Sequence, residues 1–181
     1  MPSRLSRTLA YKRLYITALV LFALDQLTKL WVQTSIPPYT YIDPAPIEVI
    51  PGLFYWVHIY NEGAAWGMFS GYGLWLAALG ILTLGAIFLL RKELELKRCS
   101  MQYAIGMLCG GIIGNLTDRL FHGHVIDFID IHLPGYRWPA FNIADCGITI
   151  GVALYIVLNL KDIFQKSPSS KGKPPLSTTE S

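Results

Sequence analysis

Two aspartates, Asp127 and Asp145, stand where apolar runs meet short polar segments, in Gly123–Phe128 (GHVIDF) and Phe141–Asp145 (FNIAD). Carboxylates beside hydrocarbon are costly unless they are paired or do chemistry. Two carboxyls held close together in a poorly solvated place cannot both ionise easily, so they tend to share one proton near neutral pH. That state suits amide hydrolysis. The ionised partner takes a proton from water while the neutral partner donates to the substrate carbonyl. Asn115, Arg119 and Asn142 are of types that can hold the carboxyls and bind charge developing on a carbonyl oxygen. Asn115, Asp118 and Arg119 stand at i, i+3 and i+4, hence on one helix face, where Asp118 can order the surroundings of Arg119.

The elements that must position these groups are greasy. The 181-residue chain is one domain by length, with 52% apolar and 15% charged residues against soluble averages of about 45–50% and about 25%. The apolar residues gather in runs near 14–32, 73–90, 101–120 and 142–160, each close to the roughly 20 residues that cross a hydrocarbon core. Basic residues punctuate them asymmetrically. Arg4, Arg7, Lys12 and Arg13 precede the first run, and Arg91, Lys92, Lys97 and Arg98 fill the gap between the second and third. Lys161, Lys166, Lys171 and Lys173 follow the fourth, whereas Gln33–Tyr72 has no Lys or Arg and Phe121–Ala140 has only Arg137. The positive-inside rule then predicts a mainly α membrane protein of four spans with both termini cytoplasmic. These basic clusters are short and flank spans, so nucleic acid is not the expected partner.

The first run carries Asp25 and Lys29, four residues apart and able to pair on one face turned toward a functional cavity. It is too long for a signal-peptide h-region and is expected to be retained. Between the first two runs, the prolines Pro37, Pro38, Pro44, Pro46 and Pro51 exclude a continuous helix, and Leu53–Tyr60 (LFYWVHIY) is expected to form a short strand. Gly123–Asp130 alternates around Val125, Asp127 and Ile129, which suits a second extended piece. Gly106, Gly110 and Gly114 are spaced by four and are read as helix-packing positions. Cys146 is read as a buried small side chain rather than a nucleophile. Residues 1–166 are expected to form the membrane domain, with 167–181 a disordered tail.

At 1.5 Å per residue, Asp25 and Lys29 lie roughly 18 and 24 Å above the basic end of the first run. By the same rise, Asn115 and Arg119 lie roughly 25–31 Å up the third run and Asp145 roughly 24 Å above Lys161 in the fourth. These estimates converge on the outer third of a membrane, the face to which the loop bearing Asp127 belongs.

Five blocks, Asp25–Lys29 (DQLTK), Asn61–Ala65 (NEGAA), Gly110–Arg119 (GGIIGNLTDR), GHVIDF and FNIAD, occur in an order that resembles the lipoprotein signal peptidase (signal peptidase II) family of aspartic membrane proteases. The resemblance implies a catalytic pair at Asp127 and Asp145. It implies supporting roles for Asp25, Lys29, Asn61, Gly63, Asn115, Asp118, Arg119 and Asn142. It further implies a lipid-modified prolipoprotein substrate, cut just before the cysteine that carries diacylglyceryl, at the extracytoplasmic face of the bacterial inner membrane. No cofactor or metal is expected, membrane lipid is the surrounding partner, and the chain is expected to act as a monomer. Trp66 stands where the family usually has Phe, and the charged tail after Asp162 is not part of the shared pattern. Two rival readings use the same residues. Asp25, Lys29, Asp118 and Asp145 can form a transporter's proton relay, although no internal repeat is visible. His122, His124 and Asp127 can ligate a metal, although no further ligand cluster has a recognisable spacing.

Overall fold

The computed structural model describes residues 10–38, 45–64 and 68–166. Arg4, Arg7, Pro44, Ala65, Trp66 and the tail 167–181, which figure in the sequence reading, lie outside the described residues. The described chain is four long helices and one small antiparallel sheet. Helix α1 spans Lys12–Ser35, α2 Gly73–Leu89, α3 Cys99–His122 and α4 Ile143–Lys166. Each contains or nearly coincides with one of the four apolar runs. Helices α1, α3 and α4 have 24 residues each, a rise of about 36 Å. By length and composition α1 and the Ile143–Lys161 part of α4 can cross a membrane, and α2 is a shorter apolar helix.

Burial in α1 is inverted relative to a water-soluble helix. Its buried residues are Asp25, Lys29 and Val32, whereas Leu19 and Leu27 are 67% and 63% exposed. Helix α2 buries only Ala77. Apolar surface on this scale is a liability in water and an asset against lipid tails. Helix α3 is the central element and packs on α1, α2 and α4. Its glycines explain how. A Cβ at Gly110 would stand 2.7 Å from the Ala18 carbonyl oxygen and 3.0 Å from the Ala18 Cα, both backbone atoms of α1. Only glycine permits that approach. Gly123 then ends α3 in the left-handed region, with φ of +79°.

The sheet runs β1 (Ile47–Ile50), β2 (Phe54–Asn61), β3 (Val125–Leu133) and β4 (Tyr136–Arg137), neighbours in that order. The strand expected at Leu53–Tyr60 is β2, and the extended piece expected at Gly123–Asp130 is β3. A bulge between Trp56 and Ile59 shifts the β2–β3 register so that Ile59 faces Asp127 and Asn61 faces Val125. Alternate β3 residues then do different work. Ile126 and Phe128 join Val32 and Ile36 of the α1 end in the buried apolar cluster, while Val125, Asp127, Ile131 and Leu133 face a cavity. His58 Nδ1 donates to the Ile36 carbonyl at 2.7 Å, tying β2 to the end of α1. Asp130 accepts from Arg137 at 2.6 Å and lies 2.9 Å from His132, which holds the β3–β4 hairpin.

Candidate active site

Asp127 comes from β3 and Asp145 from the first turn of α4. Asn142 joins them. Its side-chain Nδ2 donates to Asp127 Oδ1 at 2.7 Å, and its backbone N–H reaches Asp145 Oδ2 at 3.3 Å. The Asp145 N–H donates back to Asn142 Oδ1 at 3.0 Å. This is a reciprocal capping arrangement, with Asn142 at the N-cap and Asp145 three residues on. The helix that starts here therefore sets the position of Asp145 through its own first turn.

Three asparagine amides hold the two carboxylates, and each is fixed in orientation by a group that can only donate. Gly63 N–H donates to Asn61 Oδ1 at 2.9 Å, so Asn61 turns its Nδ2 toward Asp127 Oδ2, 2.7 Å away. Lys29 Nζ donates to Asn115 Oδ1 at 3.1 Å, so Asn115 turns its Nδ2 toward Asp145 Oδ1, also 2.7 Å away. The Asp145 N–H does the same for Asn142. An amide has one acceptor end and one donor end, so occupying the first aims the second.

Behind the pair lies a buried charge cluster on α1 and α3. Lys29 is 2.8 Å from both Asp25 Oδ2 and Asp118 Oδ2, with all three residues at most 2% exposed. Asp25 also accepts the Ala144 N–H at 2.9 Å, one residue before Asp145. Asp118 Oδ2 accepts the Ile126 N–H at 3.4 Å, one residue before Asp127. The cluster thus grips the backbone beside each of the two carboxylates. Gly114 makes room for it, since a Cβ there would meet Asp25 Oδ2 at 2.5 Å.

Three details differ from the sequence reading. Asp25 and Lys29 pair as expected, but they are buried behind the two carboxylates and do not line the cavity. Asn115, Asp118 and Arg119 do not share one role: Asp118 turns to α1, while Arg119 Nη2 donates to the Gly63 carbonyl at 2.8 Å and lines the cavity. Neighbouring helical positions diverge by about 100° around the axis, which separates their partners. Cys146 is half-buried and lines the cavity rather than filling a core. Gln26 was not singled out, yet it donates to Asp118 Oδ1 at 3.0 Å and lies 3.1 Å from Asp25 Oδ2. The available signal was an amide beside Asp25 inside an apolar run. His124 stacks on Tyr60 at 4.2 Å, and no group of three metal-binding side chains is gathered among the described residues.

The aspartates open on a cavity of about 670 Å³. Asn61, Asn115, Arg119 and the two Asp line it together with an apolar wall that includes Leu133, Trp138, Phe141, Ile148 and Ile150. Burial first, and the Asp145 charge second, push Asp127 up to about 7, against the opposing hydrogen bonds from Asn61 and Asn142. At neutral pH this carboxyl can carry a proton.

The model of the signal peptidase II family matches residues 17–161. A lipoprotein signal peptidase of Xylella fastidiosa (strain M12) is 40% identical over 162 residues, covering 86% of this chain and 91% of the relative. One from Xanthomonas campestris pv. campestris (strain 8004) is 43% identical over 145 residues, covering 75% and 83%. A bacterial membrane enzyme solved by the in meso method at 2.3 Å superposes with a TM-score of 0.76 at 35% identity, over 87% of this chain and 93% of that one. The match spans every element that contributes to the aspartate site, and the chain belongs to the signal peptidase II family.

Proposed function

We propose that the protein is an aspartic endopeptidase of the bacterial inner membrane that removes signal peptides from diacylglyceryl-modified prolipoproteins, cleaving before the lipidated cysteine. The observation that carries the reading is the pair Asp127 and Asp145, bridged by Asn142 and opening on one cavity with an apolar wall. Asp127 holds the shared proton. Asp145, at the positive end of α4 and receiving Asn115 Nδ2, is the better place for the negative charge. Asp145 takes a proton from water as the oxygen adds to the scissile carbonyl carbon, and Asp127 gives its proton to the carbonyl oxygen. The tetrahedral diol collapses when Asp145 returns its proton to the amide nitrogen. The C–N bond breaks, and Asp127 recovers a proton from the diol.

Arg119 lies within the electrostatic reach of both carboxylates and supports the substrate end of the cavity. Asp25, Lys29, Asp118, Asn61, Gly63, Asn115 and Asn142 act as positioning residues. The apolar wall suits a hydrophobic signal-peptide segment or a diacylglyceryl chain. Helices α1 to α4 are four spans with both termini cytoplasmic, so the sheet and the aspartates belong to the outer face; the basic residues at the opposite helix ends support this. Both carboxyls and all three amides come from one chain, which supports action as a monomer.

The test is cleavage of a lipidated prolipoprotein by detergent-purified protein in excess chelator. Asp127→Asn and Asp145→Asn should each lower turnover by about 10²–10⁴-fold or more without loss of fold. Full activity in either variant would falsify the pair, and loss of wild-type activity with chelator would favour a metal.

A further inference from the structure

A second cavity, of about 380 Å³, lies at the other end of the helices, walled by Leu14, Leu84, Ile87, Leu96 and Cys109. Its origin is topological. Helices α1 and α2 both pack on α3, and the space left between them is apolar. Arg91 also lines it. The guanidinium sits 4.4 Å above the Phe88 ring, and Nη1 donates to the Phe88 carbonyl at 2.6 Å. That contact uses one edge of the fork. Among the described residues no carboxylate pairs with Arg91, and the nearby Glu95 is taken by Arg98 at 3.1 Å.

Charge around this end favours an anion. Lys12 and Arg13 enter α1 here, and the connector after α2 carries Arg91, Lys92, Lys97 and Arg98 against Glu93 and Glu95. A greasy slot with a guanidinium at its mouth fits a molecule that is itself a hydrocarbon chain ending in a phosphodiester. Arginine is well matched to phosphate oxygens, and basic pockets between helices on the cytoplasmic side recognise anionic headgroups. Tyr11 and Tyr15 also line the slot, and tyrosines suit the headgroup level.

We propose that this groove binds one anionic phospholipid of the cytoplasmic leaflet, with its phosphate on Arg91 and an acyl chain between α1 and α2. The inference rests on the membrane placement proposed above, and not on peptidase activity. Its site is distant in the fold from the aspartates and shares no lining residue with their cavity.

Cys109 makes the test direct. In full-length protein with Cys99→Ser and Cys146→Ser, delipidated in mild detergent, maleimide alkylation of Cys109 is timed with added phosphatidylglycerol or phosphatidylcholine. Lipid retained by each sample is counted by native mass spectrometry. Phosphatidylglycerol should slow labelling about tenfold relative to phosphatidylcholine and remain bound one to one. Arg91→Gln should erase that difference, and Arg91→Lys, which keeps the charge, should restore part of it. Equal protection by both lipids, unchanged protection in Arg91→Gln, or equal protection by inorganic phosphate alone would overturn the proposal. Cleavage of a lipidated prolipoprotein is measured in parallel on the chain with its native cysteines. A protein that retains phosphatidylglycerol but cleaves nothing would sink the peptidase reading and leave the lipid site standing.

Discussion

At the scale of single residues, the informative group is Asp127. Its carboxyl sits near 7 in the folded protein against an ordinary value of 3.8, chiefly because it is buried. The folded state therefore binds this proton more tightly than the unfolded chain does. The corresponding stability is complete below about pH 4 and is lost as pH rises through about 7. Asp127→Asn has no proton to lose. Between about pH 5 and about pH 8, the stability of the wild type should fall relative to that variant by about 2–3 kcal/mol. Thermal unfolding in detergent at both pH values checks this, and parallel curves for the two proteins would contradict the raised value. Catalysis that needs the shared proton should decline on the alkaline side over the same range, as a fall in kcat/KM.

Elements matter because the aspartates are held from behind. Lys29 on α1 pairs with both Asp25 and Asp118 and aims Asn115 at Asp145. Lys29→Met would leave two buried carboxylates without their cation and free the Asn115 amide to turn. Breaking a buried pair on one side costs about 3–5 kcal/mol, so the melting temperature should drop sharply and cleavage should fall with it. An unchanged melting curve would show that the cluster is not what holds α1 to α3. The glycine seam makes a second element-level prediction. Gly110→Ala places a methyl against the α1 backbone and should destabilise by about 1–3 kcal/mol. Gly85→Ala on α2, where nothing lies within 4 Å of the added carbon, should be neutral or slightly stabilising. Equal effects at the two positions would argue against close α1–α3 contact.

For the whole molecule, the question is which way it sits in the bilayer. Exposed Cys99, in the basic connector end of α3, belongs to the cytoplasmic face under the proposed topology. Tyr136 on β4, 45% exposed, belongs to the opposite one. With the other cysteines replaced by Ser, a membrane-impermeant maleimide should label Cys99 in inverted vesicles but not in intact spheroplasts, and Tyr136→Cys should give the reverse pattern. Labelling of both positions from one side would refute four spans.

The sequence by itself determined the apolar runs and the asymmetry of their flanking charges. It also showed that Asp127 and Asp145 sit at boundaries where carboxylates need a reason to be. Those features are local: hydrophobic length and charge position can be read without knowing what lies opposite. Tertiary structure alone decided which partner each polar group takes. It turned Asp118 toward Lys29 rather than Arg119, recruited Gln26, and used the β2 bulge and the Gly63 N–H to bring and aim Asn61 at Asp127. Hydrogen-bond pairing between residues 15 to 119 positions apart depends on helix rotation and strand register, and neither is encoded in any one stretch of the chain.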